Sequence, residues 1–165
     1  MSIQQALAIE VERETQNTLR MIEVIPSEKL DYKPHPKSMS LGELASHIVE
    51  LHGWMGHVLN SNDFNFHTDY VPFKASSSEE LSASLKANQQ FNETALANFT
   101  EENYFSEWTL RAGEHVIAKL PKAGAIRFIV NNHLIHHRGQ LSVYLRMLDV
   151  PLPGIYGPSA DEKQF

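Results

Sequence analysis

No cysteine occurs among the 165 residues. That absence removes disulfides, thiolate metal sites and cysteine nucleophiles together, and leaves imidazole, carboxylate and hydroxyl groups for any chemistry. Basic residues are scarce as well: 14 Lys and Arg stand against 20 Asp and Glu, a net charge of −6. With no broad basic face to neutralise phosphates, nucleic acid is not expected as a partner. No apolar run approaches the roughly 18 residues of a membrane span. The first helical stretch carries Glu10, Glu12 and Arg13, unlike a signal peptide. The expectation is a cytoplasmic protein with no membrane partner. Nucleophile elbows of the Gly-x-Ser-x-Gly kind, phosphate loops and dinucleotide fingerprints are also missing.

What is present is enough apolar material for one core: 42% hydrophobic and 21% charged residues, read as a single domain over 1–165. Ile3, Leu7, Val11, Thr18, Ile22 and Ile25 recur at helical spacing and predict a first helix that Pro26 ends. A proline-rich connection follows, with His35 exposed within it. Ser40 and Glu43 form a capping box that opens a second helix to about Asn60. Residues 61–77 combine turn formers with scattered aromatics and read as a loop that lays its rings over the core. Ser77 and Glu80 offer another capping box, for a third helix. Residues 100–120 read as a short hairpin or irregular crossover around Arg111-Ala112-Gly113-Glu114. Pro121 then starts a fourth long helix that runs to about Leu148. The fold class expected is all-α, a four-helix bundle with a short irregular or hairpin segment before its last helix.

The unusual abundance is nine histidines. Neutral imidazole binds zinc, nickel, copper or iron, and facing helices can converge several rings. In the fourth helix His133 and His137 stand one turn apart. At about 100° per residue, Ile126, Val130, His133, Leu141, Tyr144 and Leu148 fall within about 40° of His137, whereas His136 falls about 100° away. His133 and His137 therefore interrupt the apolar stripe, and His136 belongs to its rim or supports a ligand from outside. In the second helix Leu44, Leu51, Trp54 and Val58 lie within about 60° of His47, so His47 also points inward. His52 and His57, about 140° and 80° away, read as surface histidines. Three inward histidines on two helices are costly to bury without a shared partner. Glu50, near His47, is weighed as a fourth ligand, an orienting acceptor or a solvated charge, with the last preferred. The fourth helix has no carboxylate before Asp149, which argues against a di-iron carboxylate centre and for a mononuclear site. Three neutral imidazoles leave a coordination position open, as catalytic metals require.

The run His133-Leu-Ile-His-His-Arg-Gly-Gln-Leu-Ser-Val-Tyr-Leu-Arg146 is followed by Asp149-Val-Pro-Leu-Pro and Ile155-Tyr-Gly-Pro-Ser-Ala-Asp161. Together they resemble the C-terminal part of the DinB/YfiT-like family of damage-inducible and related bacterial proteins. Leu41-Gly-Glu-Leu-Ala-Ser-His47, with Trp54 beyond it, resembles that family's second helix. The resemblance implies a four-helix bundle of unusual connectivity, often a homodimer. It also implies a divalent metal, commonly nickel or zinc, held by the positions that match His47, His133 and His137. Family members of known activity include thiol-dependent transferases and isomerases that use a low-molecular-weight thiol.

These readings converge on a metal-dependent enzyme acting on a small molecule, in which a bound thiol or water is activated, with hydrolysis as the runner-up to thiol transfer. A cysteine-free chain must take any thiolate from outside. The alternative from another class is a non-catalytic helical dimer that senses or buffers metal, favoured if Glu50 or another protein group closes the coordination shell. Leu134 and Leu145, read as leaning outward, are the only residue-level support for a homodimer.

Overall fold

The structure, a computed structural model, describes residues 1–162; the last three residues of the expected 1–165 domain lie outside it. Helix α1 (Ile3–Glu23) opens on a capping box in which Ser2 Oγ accepts from Gln5 N and Gln5 Oε1 from Ser2 N. A 3₁₀ turn at Ser27–Lys29 leads to α2 (Leu41–Asn60), capped by Ser40 and Glu43 as their spacing predicts. Strand β1 (Asp63–Asn65) precedes α3 (Ser78–Asn98) and the short α4 (Glu101–Phe105). Strands β2 (Glu107–Ala112) and β3 (His115–Pro121) follow. The last helical rod joins α5 (Lys122–Gly124), a π-helical segment (Ala125–Asn131) and α6 (Asn132–Met147).

Helix α2 packs on α3 and α6, and α1 packs on the same two, so the long helices enclose one core. Two glycines of α2 bring α3 close. A Cβ on Gly56 would lie 2.4 Å from Phe91 Cε1, and one on Gly53 would lie 3.0 Å from Asn88 Oδ1. Into that space α3 inserts Asn92, whose amide donates to His52 O and accepts from Gly56 N. It thereby bridges a backbone pair of α2 at its own ladder spacing.

The expectation of a purely α-helical four-helix bundle is corrected: the protein is mostly helical, with a three-stranded sheet of order β1-β2-β3. The segment before the last helix is indeed a hairpin, β2 antiparallel to β3 with Trp108 opposite Leu120. The addition is β1, which pairs parallel to β2 with Phe64 opposite Leu110. Three residues of strand, two of them Asp63 and Asn65, carry no readable alternation and disfavour strands intrinsically. Their pairing is with residues far along the chain. The loop after β1 does lay rings over the core: Phe66 lies 5.6 Å from Trp54 and 5.7 Å from Tyr70, centroid to centroid.

Three further expectations change. Glu80 does not complete a box with Ser77; Ser77 caps α3, but the Glu80 carboxylate accepts from Ser76 N and Oγ instead. Leu134 and Leu145 are buried, not outward, so they lend nothing to a dimer. His52 is 5% exposed rather than a surface group, because α2 is enclosed on nearly all sides and its helical angle does not predict exposure.

His52 lies 3.0 Å from Thr18 of α1, and burial, with the charge of Arg138 adding to it, pushes its pKa from 6.5 down to about 3. The folded state therefore binds fewer protons here than the unfolded one between those two values. Stability is full above pH 6.5 and declines as pH falls toward about 3. The contribution lost by about pH 5 is roughly 2 kcal/mol. Urea unfolding of wild type and His52→Gln at neutral and mildly acidic pH should show a smaller acid loss in the variant.

Candidate metal centre

His47 comes from the second turn of α2, while His133 and His137 come from the first turns of α6, just after the π-helical segment ends. His133 Nε2 lies 3.4 Å from His47 Nε2 and 2.8 Å from His137 Nε2. One ligand atom from each ring falls within 4.8 Å of the others. The structure thus brings together the same three histidines that the helical angles select. π-helical turns are rare and recur at functional sites; here the turn sets the rotation at which α6 begins.

The remaining nitrogens are held from behind. His137 Nδ1 is 2.7 Å from Gln140 Oε1, and His47 Nδ1 is 3.4 Å from Glu50 Oε2. An acceptor at Nδ1 keeps the proton there and turns the Nε2 lone pair toward the shared centre. Burial first, then the neighbouring imidazoles, lowers the His133 pKa to about 4; burial lowers that of His137 as well. Both rings are neutral near pH 7, the form that ligates metals. Three converging imidazole donors, with those of His47 and His137 backed by Glu50 and Gln140, fit a divalent cation. The His47 side chain is 26% exposed, so the centre has an open flank.

Glu50 is not the solvated charge preferred on sequence. Its side chain is 9% exposed, and it accepts from Phe73 N at 2.6 Å and from the Tyr70 hydroxyl at 3.1 Å while facing His47. The burial cost of its charge is offset by those donors. His136 is exposed at the rim, with its ring centroid 5.1 Å from that of His137. His57 is exposed, as expected, and apart from the three. Sequence reasoning missed Gln140, which its spacing three residues after His137 could have revealed, and Tyr70, for which no local signal exists.

Behind the site, buried Arg138 fixes the rotation of α6. It pairs with Glu14 Oε2 of α1 at 2.5 Å, donates to Thr18 Oγ1 at 3.1 Å and bonds the Tyr156 hydroxyl. Tyr156 belongs to the C-terminal tail and packs its ring 5.3 Å from the guanidinium. The tail is tied again by Arg146 to Asp161. No helix among the described residues is long and apolar enough to cross a membrane.

Comparison with known proteins matches residues 1–164 to the DinB family. The uncharacterized protein YrdA of Bacillus subtilis (strain 168) is 24% identical over 153 residues, covering 92% of this chain and 86% of its own. Among solved structures, the DinB-like protein YjoA of Bacillus subtilis superposes with a TM-score of 0.69 at 20% identity, over 96% of this chain and 99% of its own. A DinB-like protein from Bacillus cereus ATCC 10987 gives 0.67 at 22% identity, over 88% and 92%. At these identities the solved structures establish a shared fold.

Proposed function

The chain belongs to the DinB family, and from that premise we propose that it binds one divalent metal ion through His47, His133 and His137 and acts as a metal-dependent enzyme on a small molecule. The observation that carries this reading is the convergence of the three imidazole donors with His47 and His137 backed by Glu50 and Gln140. A divalent ion held by three neutral imidazoles supplies a Lewis acid that lowers the pKa of a thiol or water. Nickel or zinc suits the donor set. With no cysteine in the chain, a thiol reactant comes from outside as a low-molecular-weight thiol. Thiol transfer is the leading chemistry in this reading and hydrolysis the runner-up.

The chain's own residues divide the remaining work. Glu50 and Gln140 orient imidazoles, and Tyr70 with the Phe73 amide holds Glu50 in place. Because Glu50 is committed to those donors, it is poorly placed to close the shell. That weakens the non-catalytic sensing or buffering alternative. The proposal includes a cytoplasmic location and action as one domain. It also includes a homodimer, now supported only by the exposed Phe128, Val143 and Met147 along the last helical rod. Light scattering at micromolar concentration should give twice the chain mass, and a monomer would remove the dimer while leaving the metal site untouched.

Chelation provides the test of the central reading. An ion bound only by the folded state stabilises by roughly 3–4 kcal/mol at 100 to 1,000 times its dissociation constant. Stripping the protein should therefore lower Tm by roughly 10 °C, and zinc or nickel should restore it. Identical melting with and without chelator and added metal would count against the site.

A further inference from the structure

A cavity of about 300 Å³ opens between α2, α3 and the loop after β1. Its aromatic lining comes from Trp54, Phe64, Tyr70 and Phe73, with the Trp54 and Phe64 centroids 5.1 Å apart. Its formally charged lining residues are Glu50 within and Asp69 at the mouth. His57 also lines it; partial desolvation of its ring lowers that imidazole's pKa, against the opposing charge of Asp69. Besides His57, the cationic group that acts on Asp69 is Arg111, which is already engaged by Asp63 at 2.8 Å. The cavity is therefore aromatic-walled and anionic, in a chain whose net charge is −6.

The acceptor capacity of Glu50 is largely in use, and that of Asp69 in part. Glu50 accepts from Phe73 N and the Tyr70 hydroxyl. Asp69 accepts from Asn65 N and Thr68 Oγ1, both at 2.8 Å. Negative charge remains at both, and at Glu50, the carboxylate within the cavity, the lone pairs that a primary ammonium needs for its N–H groups are largely spent on these donors and on His47. A fully alkylated ammonium asks for no acceptor; it asks for π faces and a negative field.

We propose that this cavity is a binding site for a small quaternary ammonium compound of the choline type. The ligand sits on the α2–α3 side of Glu50, whose other contact is His47. Binding requires no metal, so the proposal goes beyond the metal reading and can fail separately from it.

Calorimetric titration of the full chain with choline tests it, run with and without chelator. The expected result is saturable binding in both conditions, with a dissociation constant of about a millimolar or below. The uncharged analogue, in which carbon replaces the quaternary nitrogen, should bind roughly tenfold more weakly. Ser84→Leu, which fills the lining from the half-buried face of α3 without adding a π face, should abolish binding. Should that variant fail to melt cooperatively, Asp69→Asn serves in its place, with affinity expected to fall about twofold through loss of a partly screened charge. Absence of saturable choline binding, equal binding of the neutral analogue, or unchanged choline affinity in a folded Ser84→Leu, or in Asp69→Asn where it serves instead, would each overturn the proposal.

Discussion

Replacing His137 with glutamine lowers divalent-metal affinity by orders of magnitude, whereas the same change at the adjacent His136 lowers it by at most 10–100-fold. Composition cannot distinguish these neighbours; the fold does. His137 sits with its Nε2 2.8 Å from that of His133 and its Nδ1 against Gln140. His136 is exposed, in ring contact with His137 but outside the convergent set. Glutamine at 137 removes one of three donor nitrogens and leaves Gln140 facing a neutral amide. Competition with a chromophoric chelator measures both variants on one scale. The reverse order, with binding abolished by His136→Gln and retained by His137→Gln, would mean that α6 is rotated from the orientation described.

The second large effect lies behind the site. Glu14→Gln removes the negative charge that faces Arg138 and leaves a buried guanidinium without its counter-ion. Breaking one side of a buried ion pair costs about 3–5 kcal/mol. The Glu14 side chain is 14% exposed, so partial solvation places the expected loss near the lower end of that range. For a chain of this size that corresponds to a fall in Tm of roughly 6–12 °C. Arg138 follows His137 directly and locks α6 to α1 and to Tyr156 of the tail. Looser packing there should also weaken metal binding. Calorimetric melting of metal-free protein separates the folding loss from the loss of ligand stabilisation. A change below about 1 kcal/mol, the scale of a surface pair, would show that the network contributes little.

The features legible in sequence are those written in local spacing. The Ser40–Glu43 box fixes the start of α2, and with it the register of His47. His133 and His137 lie one turn apart inside regular α-helix, so their pairing survives the π-helical segment before them. The stripe that they interrupt in the sequence is displaced, however. Besides His137 itself, the buried residues of α6 are Leu134, Arg138, Leu141 and Leu145, centred about 70° round the helix from His137. A hydrophobicity reading counts Arg138 as surface, because its partner Glu14 is far away in the chain. The displacement moves the histidines to the edge of the core, facing α2, which is why the centre keeps an open flank. The burial of Glu50 escapes a sequence reading for the same reason: its donors, Phe73 N and Tyr70, come from a loop whose course no periodicity reveals. His52 and β1 depended in turn on long-range partners, Thr18 and Leu110 among them.

The most direct test of the three-histidine centre is elemental analysis of tag-free protein, wild type beside His133→Gln. His133 Nε2 lies within 3.4 Å of the Nε2 of both other ligands, so its loss should disrupt the set. The account expects about one nickel or zinc per wild-type chain after equilibration with metal and dialysis, and next to none in the variant. Metal-free wild type after that treatment, or equal metal content in the two proteins, would contradict it.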